Sequence, residues 1–266
     1  MLSVVIIAKN EQDTIGRAIE SVSWADEILL IDNNSTDKTV LNARHRGAHV
    51  IRDNTDGDFA HLRNTGLKHA SSDWVFFLDA DEWVTPALAQ SLQMVTSYKK
   101  AAYNCYMIGR QDVFWGHTLS FGETFMARTR GIIRLVKKES GVEWKGAVHE
   151  QLHIPVVASA RLDGMLMHTP HPTIASFLNH INYYSSVRAR ELARAGRAEG
   201  SAFYLQLFLF PPLKFIYTYV FLLGFLDGAA GFVYSFMMSF HSFLVRAKWY
   251  QTTTLAAQKT IPSPSS

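Results

Sequence analysis

Along its first third the chain alternates continuous apolar runs with apolar positions at helical spacing. Leu2–Ala8 is a short apolar run, and Ile15, Ala18, Ile19 and Val22 then recur at helical intervals. Glu27–Asp32 (EILLID) is a second apolar run that ends in an acid. The turn cluster Asn33-Asn34-Ser35-Thr36-Asp37 follows, and then a helical stretch to about Arg46. Ala48–Arg52 is a short third strand, and Phe59–Ala70 has the pattern of a helix. Trp74–Leu78 (WVFFL) is an uninterrupted apolar run, short enough for a central strand, and it runs into Asp79-Ala80-Asp81-Glu82. Thr85 and Pro86 then predict a helix start, with threonine as the cap and proline at the first helical position.

Strands that are apolar throughout, alternating with helices, predict an α/β fold with a mostly parallel sheet covered on both faces. Ligands of such sheets bind beyond the carboxyl ends of the strands. Here those ends carry Asn10, Glu11, Asp32, Asp79 and Asp81. All five are therefore expected at one crevice.

Beyond residue 100 the pattern changes. Tyr103–Ile108 and Ile132–Val136 read as strands with a polar, Gly-rich stretch between them, a mixed extension of the sheet with loops able to close over a substrate. Residues 174–198 read as a long helix bearing Arg188, Arg190, Arg194 and Arg197. Residues 203–250 are dominated by Phe, Tyr, Leu and Met. The expected organisation is a catalytic domain over residues 1–170, a helical region over 171–255 and a flexible tail over 256–266.

Composition adds limits. With 48% apolar and 18% charged residues in 266, the chain supplies a full core and is not disordered. A single cysteine, Cys105, excludes a disulfide scaffold and any multi-cysteine metal site; it reads as a small buried side chain. A net charge of +3 does not argue for a nucleic-acid partner. The distribution says more, since residues 1–150 carry −2 and residues 151–266 carry +5. Acidic chemistry lies early, and a basic, aromatic segment that suits an anionic surface lies late. Leu2–Ala8 lacks the length and the basic flank of a secretory signal, so it reads as a buried strand and the catalytic part as cytoplasmic.

Asp79 and Asp81, two apart at the end of a buried strand, can both reach one hard divalent cation that keeps positions open for phosphate oxygens. Mg2+ or Mn2+ there would offset the charge that develops on a departing nucleoside diphosphate. The plain alternative is a solvated acidic turn before a helix. Asp32 can accept the N3–H of a uracil or belong to a turn that caps the next helix, and Asp37 reads as such a cap. Asn10 and Glu11 can hold a base or ribose, or cap the helix near Ile15. Arg63 can pair with a pyrophosphate in fork geometry, or be an ordinary helix arginine.

The segments VVIIAKNE, EILLIDNNSTDKT, LRNTGLKHASSDW and VFFLDADEW, in that order over roughly residues 3–90, resemble the nucleotide-binding half of the family 2 glycosyltransferases, which have the GT-A fold. The resemblance implies a nucleotide-sugar donor, usually UDP-linked, and a divalent metal at a DXD motif that falls on Asp79 and Asp81. It also implies nucleotide contacts at Asn10, Glu11, Asp32 and Arg63, and inversion at the anomeric carbon. Ala147-Val148-His149-Glu150, Gly164–His168 and the aromatic region with Phe225-Leu226-Asp227-Gly228 are similar to a narrower group. Its enzymes add a sugar, often glucose, to the heptose region of lipopolysaccharide core.

Direct displacement needs a base on the acceptor hydroxyl. The candidates are Asp112, Glu123, Glu139, Glu143, His149 and Glu150. Glu150 is favoured, beside His149, which can orient it, bind acceptor or bind metal. His168 is a candidate third metal ligand, with a structural histidine as the alternative. In the aromatic region, 12 uncharged residues separate Lys214 from Asp227 and 18 separate Asp227 from Arg246. A spanning helix wants about 20 apolar residues. Interfacial helices are therefore expected, with the Arg188–Arg197 stretch drawn to anionic lipid or a phosphorylated acceptor. The alternative is a buried helical hairpin. The expectation is a cytoplasmic enzyme resting on the inner leaflet of the membrane, with a lipid-linked glycan as acceptor. Polyprenyl phosphate as acceptor, and a non-catalytic nucleotide-sugar-binding membrane protein, stand as alternatives.

Overall fold

The computed structural model describes residues 1–55, 58–98, 103–146, 151–153, 159–196 and 198–255. The chain forms two compact units, one of residues 1–112 and 126–169, the other of residues 113–125 and 170 onward. A single boundary at 170 did not foresee that the second unit also draws in 113–125. The expected tail over 256–266 lies outside the described residues.

The first unit is built on a mixed sheet. β1 (Leu2–Ala8) pairs in parallel with β2 (Glu27–Asp32) and with β4 (Trp74–Asp79), and β2 pairs in parallel with β3 (His49–Arg52). This is the parallel half expected from the apolar runs. All seven β1 positions are buried. Alternate side chains explain why. Val4, Ile6 and Ala8 enter one core with Ile15, Ala18 and Ile19 of α1 (Ile15–Ser21) and Leu88 and Leu92 of α4 (Pro86–Ser97). Val5 and Ile7 enter a second core with Ala60 and Leu62 of α3 (Phe59–His69). A strand buried on both sides has no polar face, so it reads as a continuous apolar run. α2 (Thr39–His45) links β2 to β3. α3 lies very close to the sheet, since a Cβ at Gly66 would meet a Val5 methyl at 2.2 Å.

The remaining strands make the mixed half. After β4 the chain turns into the short β5 (Glu82–Val84). α4 then starts as predicted, with the Thr85 hydroxyl accepting the Leu88 N–H and Pro86 in the first turn. β6 (Cys105–Phe114) extends well past the expected Ile108. The short strand β7 (His117–Leu119), which belongs to the second unit, and the helix α5 (Phe125–Thr129) precede β8 (Ile132–Lys137), which inserts antiparallel between β4 and β6. β9 (Glu143–Lys145) and β10 (Gln151–His153) form a separate antiparallel pair. β11 (Ser159–His168) runs parallel to β6 and antiparallel to β5.

The second unit is helical. α6 (Ile174–Ala195) ends three residues before the expected 198 and starts at a capping box between Thr173 and Ser176. Its face of Phe177, Ile181, Ser185 and Ala189 is buried. α7 (Ser201–Ile216) contains Pro211 and Pro212 and widens into a π-type turn at Tyr217–Phe221. A short 3-10 turn, Gly224–Asp227, leads into α8 (Gly228–Tyr250). Phe114, Leu119, Phe177, Ile181, Ala230, Tyr234 and Met237 form its core. A single helix, counted with its flanking turns as Gly224–Leu255, is long and apolar enough to cross a membrane among the described residues.

Candidate active site

Strand register brings the predicted acids together. Ala8 lies opposite Asp32, and Ile7 lies opposite Asp79. The carboxyl ends of β2, β1 and β4 therefore stand side by side, and Asn10, Glu11, Asp32 and Asp79 share one edge of the sheet. Asp81 belongs to the same place electrostatically, because its charge and those of Asp79 and Asp37 act on Glu11.

Asp79 is held by two arginines. Arg63 of α3 donates to its Oδ1 at 2.8 Å, and Arg134 of β8 donates to its Oδ2 at 2.6 Å. Burial works against ionisation, but the Arg134 and Arg63 charges outweigh it and hold the carboxyl far below the usual carboxylate range. Arg63 is 3% exposed, and its guanidinium lies 4.9 Å from the Trp144 ring centroid. The Arg134 guanidinium also donates to Glu82 at 3.1 Å, while the Asp79 N–H donates to the other Glu82 oxygen at 3.0 Å. The turn from Asp79 to Glu82 is thus fixed from both sides by a buried ion-pair network.

Asp81 has different surroundings. His168 Nε2 lies 3.2 Å from its Oδ2, and His168 Nδ1 lies 2.9 Å from Asp112 Oδ1. The register explains the line, because His168 on β11 stands opposite Asp112 on β6 and opposite Glu82 on β5. Residues directly opposite on neighbouring strands point to the same face. Arg110 approaches Asp112 at 3.1 Å and shares its charge. Burial lowers the imidazolium's affinity for its proton. The Asp81 charge and the hydrogen bonds to Asp112 and Asp81 outweigh that and push the His168 pKa up to about 10.

Glu11 is pushed up to about 7, by burial first and then by the charges of Asp81, Asp37 and Asp79, against a hydrogen bond from Thr14 that lowers it. Asn10 adopts a left-handed conformation at φ 58°, and its Oδ1 accepts the Thr36 N–H at 2.8 Å, tying the β1 and β2 loops together. Asp32 is fully buried. Its Oδ1 accepts the Ser35 N–H at 3.2 Å, whereas its Oδ2 is buried without a hydrogen bond and lies 3.8 Å from Arg52 Nε. Asp37 accepts the N–H groups of Thr39 at 2.9 Å and Gln12 at 3.1 Å and so holds the turn before α2, whose N-cap position is Lys38 with no side-chain cap. The Arg17 guanidinium lies over the Trp83 ring, 3.6 Å from the centroid, within reach of the Asp81 charge.

The candidate bases fare differently. Asp112 is 1% exposed and engaged with His168. Glu139 pairs with Lys137, Glu143 with Lys145 at 3.1 Å and, in the second unit, Glu123 with Lys214 at 3.0 Å. His149 and Glu150 lie outside the described residues. Of the strands that precede and follow them in the chain, β9 is anchored to α3 and β10 pairs with β9. Asn64 exchanges two 2.9 Å hydrogen bonds with the Trp144 backbone.

Arg134, Glu82, Asp112 and Arg17 carry much of this geometry. Of these, sequence reasoning raised only Asp112, and as a base. Arg134 sits inside the apolar run IIRLVK, where a lone arginine in a buried strand signals a buried carboxylate partner without naming it.

Three metal-type side chains do not cluster among the described residues. The donors nevertheless suit a cation that takes one carboxylate, one imidazole and the rest from substrate and water. Asp81 and His168 face each other at 3.2 Å. The Asp112 contact to Nδ1 is of the kind that orients metal-binding histidines. The Arg63 and Arg134 pairs occupy both Asp79 oxygens.

Residues 3–148 match the family model of glycosyl transferase family 2. An uncharacterized glycosyltransferase of Rickettsia typhi is 31% identical over 261 residues, covering 93% of this chain and 86% of the relative. The lipopolysaccharide core biosynthesis glycosyltransferase LpsC of Rhizobium meliloti is 27% identical over 281 residues, covering 98% and 96%. Among solved structures, glucosyl-3-phosphoglycerate synthase of Mycobacterium tuberculosis, in complex with Mn2+ and UDP, is 19% identical with a TM-score of 0.46, covering 73% of this chain and 79% of that one.

Proposed function

The chain belongs to glycosyltransferase family 2, and on that premise we propose that it moves a hexose from a UDP-sugar to a lipid-linked glycan such as lipopolysaccharide core. The observation that carries this reading is the strand register, which gathers Glu11, Asp32 and Asp79 at one sheet edge, with the Asp81–His168 pair beside them.

Each residue has a role that its surroundings suit. Asp32 Oδ2, which has Arg52 Nε at 3.8 Å but no hydrogen-bond donor within the protein, accepts the uracil N3–H. Asn10 holds the two loops that frame the base. Arg17, held over the Trp83 ring, pairs with the diphosphate, since Arg63 is already committed to Asp79. Asp81 and His168 hold Mg2+ or Mn2+, which when bound offsets charge on the departing diphosphate. Asp79 keeps the turn in place through Arg63 and Arg134. Glu150 takes the proton of the acceptor hydroxyl, with His149 beside it, and attack opposite the leaving group inverts the anomeric carbon.

UDP release from a panel of UDP-sugars, with and without Mn2+ or Mg2+, tests this. The expected result is cation-dependent release that falls about 100-fold or more in Asp81→Ala, with the protein still folded. Near-normal turnover in that variant would sink the metal assignment. Glu150→Gln is expected to lower turnover and leave UDP-sugar binding intact; unchanged turnover moves the base elsewhere.

The second unit supports the acceptor side of the proposal. On α7, Leu205, Phe208, Leu209 and Leu213 are exposed, while Lys214 turns to Glu123. We read this as a face that rests in the headgroup region of the cytoplasmic leaflet, where a lipid-linked acceptor is presented. A protein found wholly in the soluble fraction at low salt refutes it.

A further inference from the structure

We propose that a cavity in the second unit is a subsite for a neutral sugar ring, with Trp115 as its stacking platform. The cavity holds about 530 Å³ and is lined by Trp115, His117, Thr118, Leu226, Asp227 and Ala230, among others. That volume is within the range of small-ligand sites. The inference rests on the glycan acceptor proposed above and assigns the residues that hold part of it.

The backbone at Trp115 is the first observation. β6 ends at Phe114 and β7 begins at His117, so Trp115 and Gly116 alone form the hairpin loop. Both have positive φ, 53° and 76°. Two-residue loops of this kind favour Asn-Gly or Asp-Gly, because a side chain with positive φ strains the backbone. A tryptophan there strains the backbone. Nor is the ring repaid by full burial, since it is 47% exposed. For the fold alone, this is a poor residue at this position.

The second observation is how the ring is held. It stacks on Phe114 with centroids 4.7 Å apart and planes 18° apart. Phe114 is itself fully buried and meets Phe177 and Tyr234 edge-on at 5.8 and 5.6 Å. The platform is therefore anchored in the unit's core and loses little freedom when it is covered.

The lining chemistry selects the ligand. A pyranose offers a C–H face to an aromatic ring and a rim of hydroxyls to polar neighbours. His117 and Thr118 are exposed beside Trp115 and supply ring nitrogens and a hydroxyl. Asp227 is held rigid by the N–H groups of Ser120 and Phe121 at 2.9–3.1 Å, and its negative charge disfavours an anionic ligand. A neutral sugar ring matches this set better than a phosphate.

The test separates a platform from a packing residue. Saturation-transfer NMR is recorded on the full-length protein with core oligosaccharide released from rough lipopolysaccharide, and with UDP in the same samples. Wild type is expected to show contact to the oligosaccharide, and Trp115→Asn to bind it about tenfold more weakly. Asparagine suits the loop, so the melting temperature of Trp115→Asn is expected to match or exceed wild type. No sugar contact in wild type, or equal contact in the variant, overturns the proposal. If Trp115→Asn unfolds, His117→Ala decides, and undiminished sugar contact in that variant overturns it too. UDP contact reports on the donor crevice separately. Its absence with sugar contact retained would break the donor reading and leave the subsite standing.

Discussion

The two units handle charge in the same way and present opposite surfaces. In the first, Asp79, Glu82 and Asp112 are matched by Arg63, Arg110, Arg134 and His168 at the ends of strands. In the second, Lys214 is matched by Glu123, and the Lys248 ammonium donates to Asn182, Ser185 and Ser186. What each unit offers after this pairing differs. The first offers a sheet edge rich in carboxylates, with Glu11 near Asp81, Asp81 beside His168 and the Arg17 guanidinium over the Trp83 ring. The second offers apolar side chains along α7. Pairing is common to both units, so it says little about function. The groups left facing outward distinguish a polar ligand from an apolar surface.

The most severe way to break this contrast is to strip the apolar face. Leu205, Phe208 and Leu213 are 59%, 67% and 58% exposed, so serine at all three positions removes little from the folded core. Each large apolar side chain is worth about 1.5–3 kcal/mol when taken fully out of water, so the triple variant loses up to about 4.5–9 kcal/mol of insertion free energy. It is expected to move from the membrane pellet to the supernatant with an unchanged melting temperature. A triple variant that still sediments with membranes would show that this face is not what holds the protein there.

Arg134→Met tests the paired charges of the first unit. The change leaves the buried Glu82 and the shielded Asp79 without their shared cation. Removing one partner of a buried ion pair costs about 3–5 kcal/mol. Urea unfolding is expected to show a loss of that size, partly recovered in Arg134→Met/Glu82→Gln, because the second change removes one orphaned charge. An additive double variant would mean that the two side chains do not interact.

Asp32→Asn probes a smaller quantity in the same crevice. An amide can turn its nitrogen toward the ligand and lose the acceptor at the unpartnered oxygen. A weakening of UDP binding by about tenfold or more is expected from calorimetry. Unchanged affinity would take Asp32 out of base recognition.

The parallel half of the sheet was legible because its strands are buried on both faces and so are continuous apolar runs. The same reasoning placed Asn10, Glu11, Asp32 and Asp79 at one edge, and the register brings them there. Arg134 was not legible, because its partners depend on β8 pairing antiparallel with β4, a contact across more than fifty residues that no local pattern encodes. The link from Asp112 to His168 depends likewise on β6 and β11 lying side by side. β6 was read too short because its polar end, Arg110-Gln111-Asp112, is buried by ion pairs rather than by apolar packing. Trp115 was passed over because a Trp-Gly pair lacks the asparagine or aspartate that marks a two-residue hairpin loop.

Glu11→Gln is the gentlest test, and it asks whether the acids of the crevice repel one another. Burial and the neighbouring carboxylates raise the Glu11 pKa from 4.5 to about 7. Below pH 4.5 the folded and unfolded chains both carry the proton. Between 4.5 and 7 the unfolded chain releases it while the folded chain keeps it, so stability falls as pH rises through this window and levels off above it. Glutamine cannot ionise and escapes that fall. Urea midpoints are therefore expected to give equal stability for variant and wild type near pH 4. By pH 8 the variant is expected to be more stable by about 1–2 kcal/mol. A difference that stays constant with pH would mean that Glu11 titrates as it does in water. The crevice would then lack the anionic field that sets it apart from the apolar face of the second unit.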